Sequence, residues 1–284
     1  MIGCGNMGGG MAAHLLECGQ DVRCYDPAPD VLRGLKTLGA IGAASAYILA
    51  LECDVIVLSL PSAAVVCAVM AEITPVLQPG SVVLDTSTSE PETSKAMAAL
   101  AATKGFAFVD GPVSGGPSAA RSGSMTMLLG GDDDAINRLK PVTDLLTAKT
   151  VVVGGSGAGH AAKIANNMLC AANLVLVAEA IRLGKAAGVE AKDLLEGINA
   201  GSGRSGVSEV NFPRWVLNEA FDSGFTMGLM RKDVNLAMDL AKSSGIDLDG
   251  FATIARIWLE GSIKISDQAD FNEITKFAGK GAKE

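Results

Sequence analysis

Met1-Ile2-Gly3-Cys4-Gly5-Asn6-Met7-Gly8-Gly9-Gly10 opens the chain and runs into Met11-Ala12-Ala13-His14-Leu15-Leu16. Gly3, Gly5 and Gly8 fit G-x-G-x-x-G, together with the intervening Asn6 and Met7. A side chain at the glycine positions would block a tight turn, the approach of a pyrophosphate, and close packing of a helix on a strand. The apolar run predicts a helix whose first amides and positive dipole end face that anion. In a chain with 34 glycines the triplet alone is weak, so its surroundings decide. Val22-Arg23-Cys24-Tyr25 reads as a second strand, and Asp26 ends it 18 residues after Gly8. An acidic side chain there accepts hydrogen bonds from a ribose diol and repels a 2′-phosphate, favouring NAD over NADP. The plain alternative is a surface Asp before Pro27. Only Met1 and Ile2 precede Gly3, where a strand usually has about five or six residues. A weakened first strand is therefore expected.

Composition narrows the class. At 284 residues the chain can form two domains, and 49% apolar content can build a sizeable core. Against 31 acidic residues stand 23 basic ones, for a net charge of −8. That balance argues against nucleic acid or an anionic membrane as main partner. No apolar run is expected to reach the length of a membrane span, and the front lacks a basic-then-apolar leader. Six cysteines (Cys4, Cys18, Cys24, Cys53, Cys67, Cys170) form no C-x-x-C, which predicts buried free thiols and a cytoplasmic location. With only His14 and His160, no metal site is expected.

Strand-like and helix-like segments alternate through the first half, the pattern of a parallel sheet covered by helices. The strand candidates are Asp54 to Leu60, Ser81 to Asp85, Phe106 to Asp110, Met125 to Leu129 and Thr150 to Val153. The first of these is apolar almost throughout, as in a strand buried on both faces. Pro91 to Thr103 and Asp132 to Leu146 read as helices. From His160 to about Ala187 the pattern is helical and free of proline. Beyond it Lys192 to Asn199, Val210 to Asn218, Leu229 to Ser243 and Phe251 to Ile263 all read as helices. The expected fold class is therefore α/β: a Rossmann-type dinucleotide-binding domain over residues 1–154, joined by a long helix to an all-helical domain over 155–284.

Two further segments can carry chemistry. Lys163, Asn166 and Asn167 share one face of the joining helix by their i, i+3, i+4 spacing, and need solvent or polar partners there. A merely wet helix face competes with a functional one. In Asp110-Gly111-Pro112-Val113-Ser114-Gly115-Gly116, Ser114 to Gly116 can offer a hydroxyl and successive free amides, a small nest for a carboxylate. A plain glycine turn is the alternative.

Together these stretches resemble the β-hydroxyacid dehydrogenase family, which includes 3-hydroxyisobutyrate dehydrogenase and tartronate semialdehyde reductase. The resemblance rests on the Gly3 to Gly8 loop, on Asp110 to Gly116, on Gly157-Ala158-Gly159-His160-Ala161-Ala162-Lys163-Ile164-Ala165-Asn166-Asn167, and on Phe225 through Lys232-Asp233. Four motifs in the right order span essentially the whole chain. Two departures are the short first strand and Gly111, where many members carry Ala.

The resemblance implies an oxidoreductase that moves a hydride between NAD(H) and a small 3-hydroxy acid or its semialdehyde, with NADP as a further cofactor. It implies that Lys163 is catalytic and that Ser114, Gly115, Gly116, Asn166 and Asn167 hold substrate. Gly3, Gly5, Asn6, Met7, Gly8, Asp26, Leu60, Pro61, Thr88, Phe225 and Lys232 fall to the cofactor, with Lys232 reaching cofactor or substrate from the second domain. Hydride loss from an alcohol carbon requires the hydroxyl proton to move too, and a lysine can take or return it. A free amine titrating near ~10.4 is a poor base at neutral pH. Burial and a neighbouring nicotinamide cation must lower that value, or water must relay the proton.

In the helical domain Val175 to Ile181 and Ile254 to Trp258 are candidates for uncovered apolar faces, and a homodimer or homotetramer formed through that domain is expected to cover them. Alternatives are a tartronate or succinic semialdehyde reductase using NADPH, a 6-phosphogluconate-like decarboxylating enzyme, and a non-catalytic nucleotide-binding scaffold. The decarboxylating family pairs its lysine with His-Asn, whereas Asn166-Asn167 stands here. His160 is expected to play a structural part at the helix start and His14 to pack in a core. Arg204 and Arg214 are expected in solvent, and Met227, Met230 and Met238 in the core.

Overall fold

A computed structural model describes residues 1–261 and 264–277. It divides into two compact units, Met1–Lys163 and Ile164–Glu284.

In the first unit, helix α1 (Asn6–Glu17) leads to β1 (Arg23–Cys24), α2 (Leu32–Thr37), β2 (Ile41–Gly42) and α3 (Ala46–Leu51). Strands β3 (Val55–Leu58), β4 (Val82–Asp85) and β5 (Ala107–Asp110) follow, with α4 (Ala63–Ile73) and α5 (Pro91–Lys104) between them. Then come β6 (Val113–Ser114), α6 (Gly116–Ser122), β7 (Met125–Gly130), α7 (Asp133–Leu146) and β8 (Thr147–Gly154).

Strands β3, β4 and β5 pair in parallel. The parallel order is then broken: β7 runs antiparallel to β5 and β6, and β8 runs parallel to β7. The chain after β5 returns through the two-residue β6 and the short α6, with no long helix to carry it across the sheet.

The apolar runs become strands buried on both faces, and alternation assigns each residue to a side. Val57, Val82, Leu84 and Val109 pack with Met11, Leu15 and Leu139 on one face. Ile56, Leu58, Val83 and Phe108 pack with Leu49, Met70 and Ala101 on the other.

The short first strand takes an extreme form. Ile2 alone bridges Tyr25 on one side and Leu58 on the other, so β1 and β2 form a separate two-stranded ribbon. Local signals fix the helix ends. Pro91 starts α5 and left-handed Gly105 (φ 80°) ends it. The Asp132 carboxylate caps α7 by accepting from the amides of Asp134 and Ala135.

Helix α8 (Ala158–Ala186) carries the unit boundary, and α9 (Ala191–Ala200), α10 (Met227–Ser244) and α11 (Asp249–Arg256) belong to the second unit. Its core gathers Leu174, Val175, Phe212, Met230, Val234 and Trp258, and the Trp258 indole N–H donates to the Ala171 carbonyl at 3.1 Å. The stretch expected as a helix from Val210 to Asn218 is a π-helix over Val207–Val216 with Pro213 inside. Pro213 has no N–H and crowds the preceding turn, which favours the wider winding. Likewise Phe251 to Ile263 resolves into α11 and a π-helical turn, Ile257–Gly261, while residues 262 and 263 lie outside those described.

Three other expectations are corrected. Helix α8 is, by length and composition, long and apolar enough to cross a membrane, but 44% of that window is buried inside the protein. Only Cys4 and Cys24 are buried, whereas Cys18 and Cys67 are exposed and Cys53 and Cys170 partly so; all six are free. His14 is half-buried beside the Cys18 thiol rather than in a core. Met227, Met230 and Met238 do pack in the core, and Arg204 and Arg214 are exposed.

Candidate active site

The glycine loop divides its labour. A β-carbon on Gly3 (φ +84°) would run into the Ser59 carbonyl oxygen, and one on Gly8 into the Gly3 carbonyl oxygen. Nothing lies within 4 Å of the β-carbon position on Gly5. Gly3 and Gly8 are thus required by packing, while Gly5 keeps the loop surface clear. Gly5 caps α1 with no side-chain hydrogen bond to the helix's first turn, leaving the amides at Asn6 and Met7 to face an anion. These features fit a dinucleotide pyrophosphate. Asp26 sits against the loop, with one carboxylate oxygen accepting from the Cys4 amide at 2.8 Å and the other from the Ala28 amide at 2.9 Å. Asp26 thus braces the loop, and each oxygen keeps a further lone pair for a ribose hydroxyl.

Next along the sheet, β3 leads into Leu60-Pro61 and β4 into Thr86-Ser87-Thr88. The Leu60 amide donates to the Ser87 hydroxyl at 2.9 Å, which brings the two segments together. Asp85, 1% exposed, accepts from the Ser87 amide through Oδ1 at 3.0 Å. Its Oδ2 has no partner among the described residues. Burial holds this carboxyl above the usual carboxylate range, and the charge of nearby His160 pulls it partly back.

The Asp110 motif meets the start of α8. The fully buried Asp110 carboxylate accepts from the Gly157 amide at 2.7 Å and from the His160 amide at 3.0 Å. One carboxylate thereby satisfies two orphan amides and its own charge at a positive helix end. The anchor sets the next turn of α8 beside the end of β6. Lys163, 6% exposed, donates from Nζ to the Ser114 hydroxyl at 2.9 Å. Gly115 (φ 124°) and Gly116 (φ 71°) follow in conformations that glycine tolerates, and α6 begins at Gly116.

In the second unit the Asn167 amide is fixed at both ends. Its Nδ2 donates to Asp233 Oδ2 at 2.5 Å and its Oδ1 accepts from Asn166 at 3.0 Å. Asn167 and Asp233 are buried, Asn166 is exposed, and Lys232 Nζ lies 3.8 Å from Asp233 Oδ1. The Phe225 ring stacks edge-on against Phe271, with centroids 5.1 Å apart.

The wet-face alternative for Lys163 and Asn167 thus fails, since both are buried with polar partners. Sequence reasoning did not find Asp85, whose carboxylate hydrogen bond is local, nor Ser87 and the ring of His160, which are joined to partners tens of residues away. Among the described residues no cluster could hold a metal ion.

Comparison with known proteins agrees with this arrangement. Residues 1–155 match the family model for the NAD-binding domain of 6-phosphogluconate dehydrogenase. Residues 157–278 match that for the NAD-binding part of NADP-dependent 3-hydroxyisobutyrate dehydrogenase. The chain belongs to the β-hydroxyacid dehydrogenase family.

A solved structure of 3-hydroxyisobutyrate dehydrogenase from Mycobacterium tuberculosis, with L-serine, superposes with a TM-score of 0.90 at 31% identity. The superposition covers 97% of this chain and 96% of that one. The 2-(hydroxymethyl)glutarate dehydrogenase of Eubacterium barkeri is 32% identical over 97% of this chain and 92% of its own. The NAD-dependent L-serine dehydrogenase of Pseudomonas aeruginosa is 35% identical, covering 86% of this chain and 85% of its own. This member of the family is accordingly an NAD(P)-dependent hydroxy-acid oxidoreductase.

Proposed function

We propose that Lys163 is the group that takes the proton from the substrate hydroxyl and returns it to the carbonyl, and that the substrate is a primary alcohol one carbon removed from a carboxylate. The observation that carries this reading is the buried Lys163 ammonium on the Ser114 hydroxyl at 2.9 Å, one residue before the left-handed pair Gly115-Gly116. Those amides suit a carboxylate, and a carboxylate held there leaves its β-carbon hydroxyl for the lysine. Three names among the relatives point to the same fragment: 3-hydroxyisobutyrate, 2-(hydroxymethyl)glutarate and L-serine each place a CH2OH beside a carboxylate-bearing carbon.

In this reading Gly3, Gly5, Asn6, Met7 and Gly8 hold the pyrophosphate and Asp26 the ribose. Leu60, Pro61 and Thr88 line the cofactor path. The bound nicotinamide supplies the hydride acceptor or donor. Lys163 moves the proton, and its ammonium form polarises a carbonyl in the reducing direction. Asn166 and Asn167 belong to the substrate and Phe225 and Lys232 to the cofactor, as the family resemblance implies. The functional division falls at 154/155, in an enzyme working in the cytoplasm.

For assembly, the expected stretch Val175 to Ile181 holds one exposed leucine, Leu176, which belongs to a longer row on α8. Val175, Ile181, Ile254 and Trp258 are all buried, whereas Leu169, Leu176 and Leu183 stand 57%, 51% and 74% exposed at seven-residue intervals on α8. A row of that kind suits a partner surface, and a homodimer or homotetramer is the simplest cover. Light scattering that finds a monomer at micromolar concentration rejects it.

The experiment for the activity is a panel of hydroxy acids followed by NADH absorbance, run with NAD and with NADP. Turnover of 3-hydroxyisobutyrate or L-serine with a higher kcat/KM for NAD is expected. Preference for NADP overturns the reading of Asp26, and absence of turnover across carboxylate-bearing alcohols overturns the substrate class.

A further inference from the structure

The His160 side chain does more than its place at a helix start requires. It is fully buried, and its ring spans two other elements of the first unit. Nδ1 lies 2.7 Å from the Ser94 hydroxyl on α5, and Nε2 lies 2.9 Å from the Ser87 carbonyl after β4. A carbonyl oxygen only accepts, so Nε2 carries the hydrogen and donates it.

Ser87 is thereby held at three points. Its amide donates to Asp85, its hydroxyl accepts from the Leu60 amide, and its carbonyl accepts from His160. The first bond is local to the turn and cannot fix where the turn sits. The second passes Ser87's position on to Leu60. The third ties the turn to α8, where the His160 amide rests on Asp110 and Lys163 follows three residues later. A chain of named bonds therefore runs from the turn carrying Lys163 to the Leu60-Pro61 and Thr88 segments.

We infer that His160 is a positioning residue: through Ser87 it fixes the Leu60-Pro61 and Thr88 segments relative to the helical turn that presents Lys163. The inference rests on the reading that these segments line the cofactor path. It touches no reacting atom. Its effect is on how firmly, and in what register, the cofactor is held against the lysine.

The test compares His160→Leu with His160→Gln. The leucine fills volume without a donor and leaves the Ser87 carbonyl buried and unpaired, a defect able to weaken a coupled site about tenfold. The glutamine amide can reach where Nε2–H stood. NADH affinity by fluorescence, kcat on the best hydroxy acid and thermal unfolding are measured on the full chain. His160→Leu is expected to bind NADH about tenfold more weakly and to lose kcat beyond any change in melting, with His160→Gln recovering most of both. NADH affinity equal to wild type in a folded His160→Leu, or equal losses in the two variants, overturns the inference.

Should His160→Leu fail to fold, Ser87→Ala removes only the acceptor of the Leu60 amide. A weakened NADH affinity there supports the relay, and an unchanged one overturns it. Failure of the underlying cofactor reading looks different, because wild type itself would then bind no NADH and both proposals would fall.

Discussion

The Gly3 to Gly8 turn and the Asn167 cluster are built by opposite means. The turn is made of backbone: glycines that cannot bear a β-carbon, uncapped helix amides, and one carboxylate, Asp26, bracing the loop. The cluster is made of side chains, with Asn167 oriented by Asn166 beside it and by Asp233 sixty-six positions along. The Lys163–Ser114 pair follows the second pattern at a separation of 49. A backbone site depends on sterics that any added carbon violates. A side-chain site depends on partners that a single exchange can unpair. The two should therefore fail differently when altered.

The largest expected effect is chemical and leaves the backbone site intact. Lys163→Ala should cost on the order of 10²–10⁴ in kcat while NADH affinity stays within a few-fold. Near-normal turnover would break the assignment of the proton to this lysine. Gly8→Ala should do the reverse. Its new carbon meets a carbonyl oxygen that cannot move without unmaking the turn, so NADH affinity should fall by roughly 100-fold, or about 2.7 kcal/mol. Titration that finds tight NADH binding in this variant would show the turn to be more pliant than its packing indicates.

Asn167→Leu removes the amide donor that Asn167 gives the buried Asp233 carboxylate. Substrate KM should rise about tenfold with little change in NADH affinity, which steady-state kinetics with each ligand varied would reveal. Equal effects on both ligands would blur the distinction.

The smallest effect is on stability. Burial raises the pKa of Asp85 in the folded state, so its contribution is fully present below the unfolded carboxyl range, near ~4, and is lost as pH climbs through the folded value. Asp85→Asn lacks that loss. The melting advantage of wild type over the variant should shrink between pH 4 and 8, by about 2–4 °C for each ~1 kcal/mol. A gap that widens with pH would contradict the direction of the shift.

This contrast also explains what could be read in advance. Gly3, Gly5, Gly8 and Asp26 were legible because their residue types fall at a recognisable spacing, although Gly3 packs on Ser59 and Asp26 on Cys4, and the paired strands β3 to β5 because burial on both faces leaves unbroken apolar runs. Lys163, Ser114 and Asn167 were legible as residue types on a helix face and after a strand. Their partners were not. Nothing near His160 announces Ser87 or Ser94, and nothing near Asn167 announces Asp233. The antiparallel β7 escaped because strand direction follows from the length of the return path, which propensity does not record. The π-helical Val207–Val216 escaped because Pro213 disturbs a helix without erasing its periodicity. Leu169 and Leu183 looked no different from core residues, while Leu176 lay within the stretch expected to be uncovered.

Ile2 carries one more consequence. The ribbon of β1 and β2, with Asp26 just beyond it, is joined to the main sheet through a single bridging residue. Hydrogen exchange should therefore split the first unit into two opening units. The amides of Ile41 and Ala43, bonded only within the ribbon to Val22 and Cys24, should trade with deuterium well before those of Val83 and Leu84 at the centre of β4. A ligand gripping both the Gly3 to Gly8 turn and Asp26 would stitch the seam, and slow the early class far more than the late one.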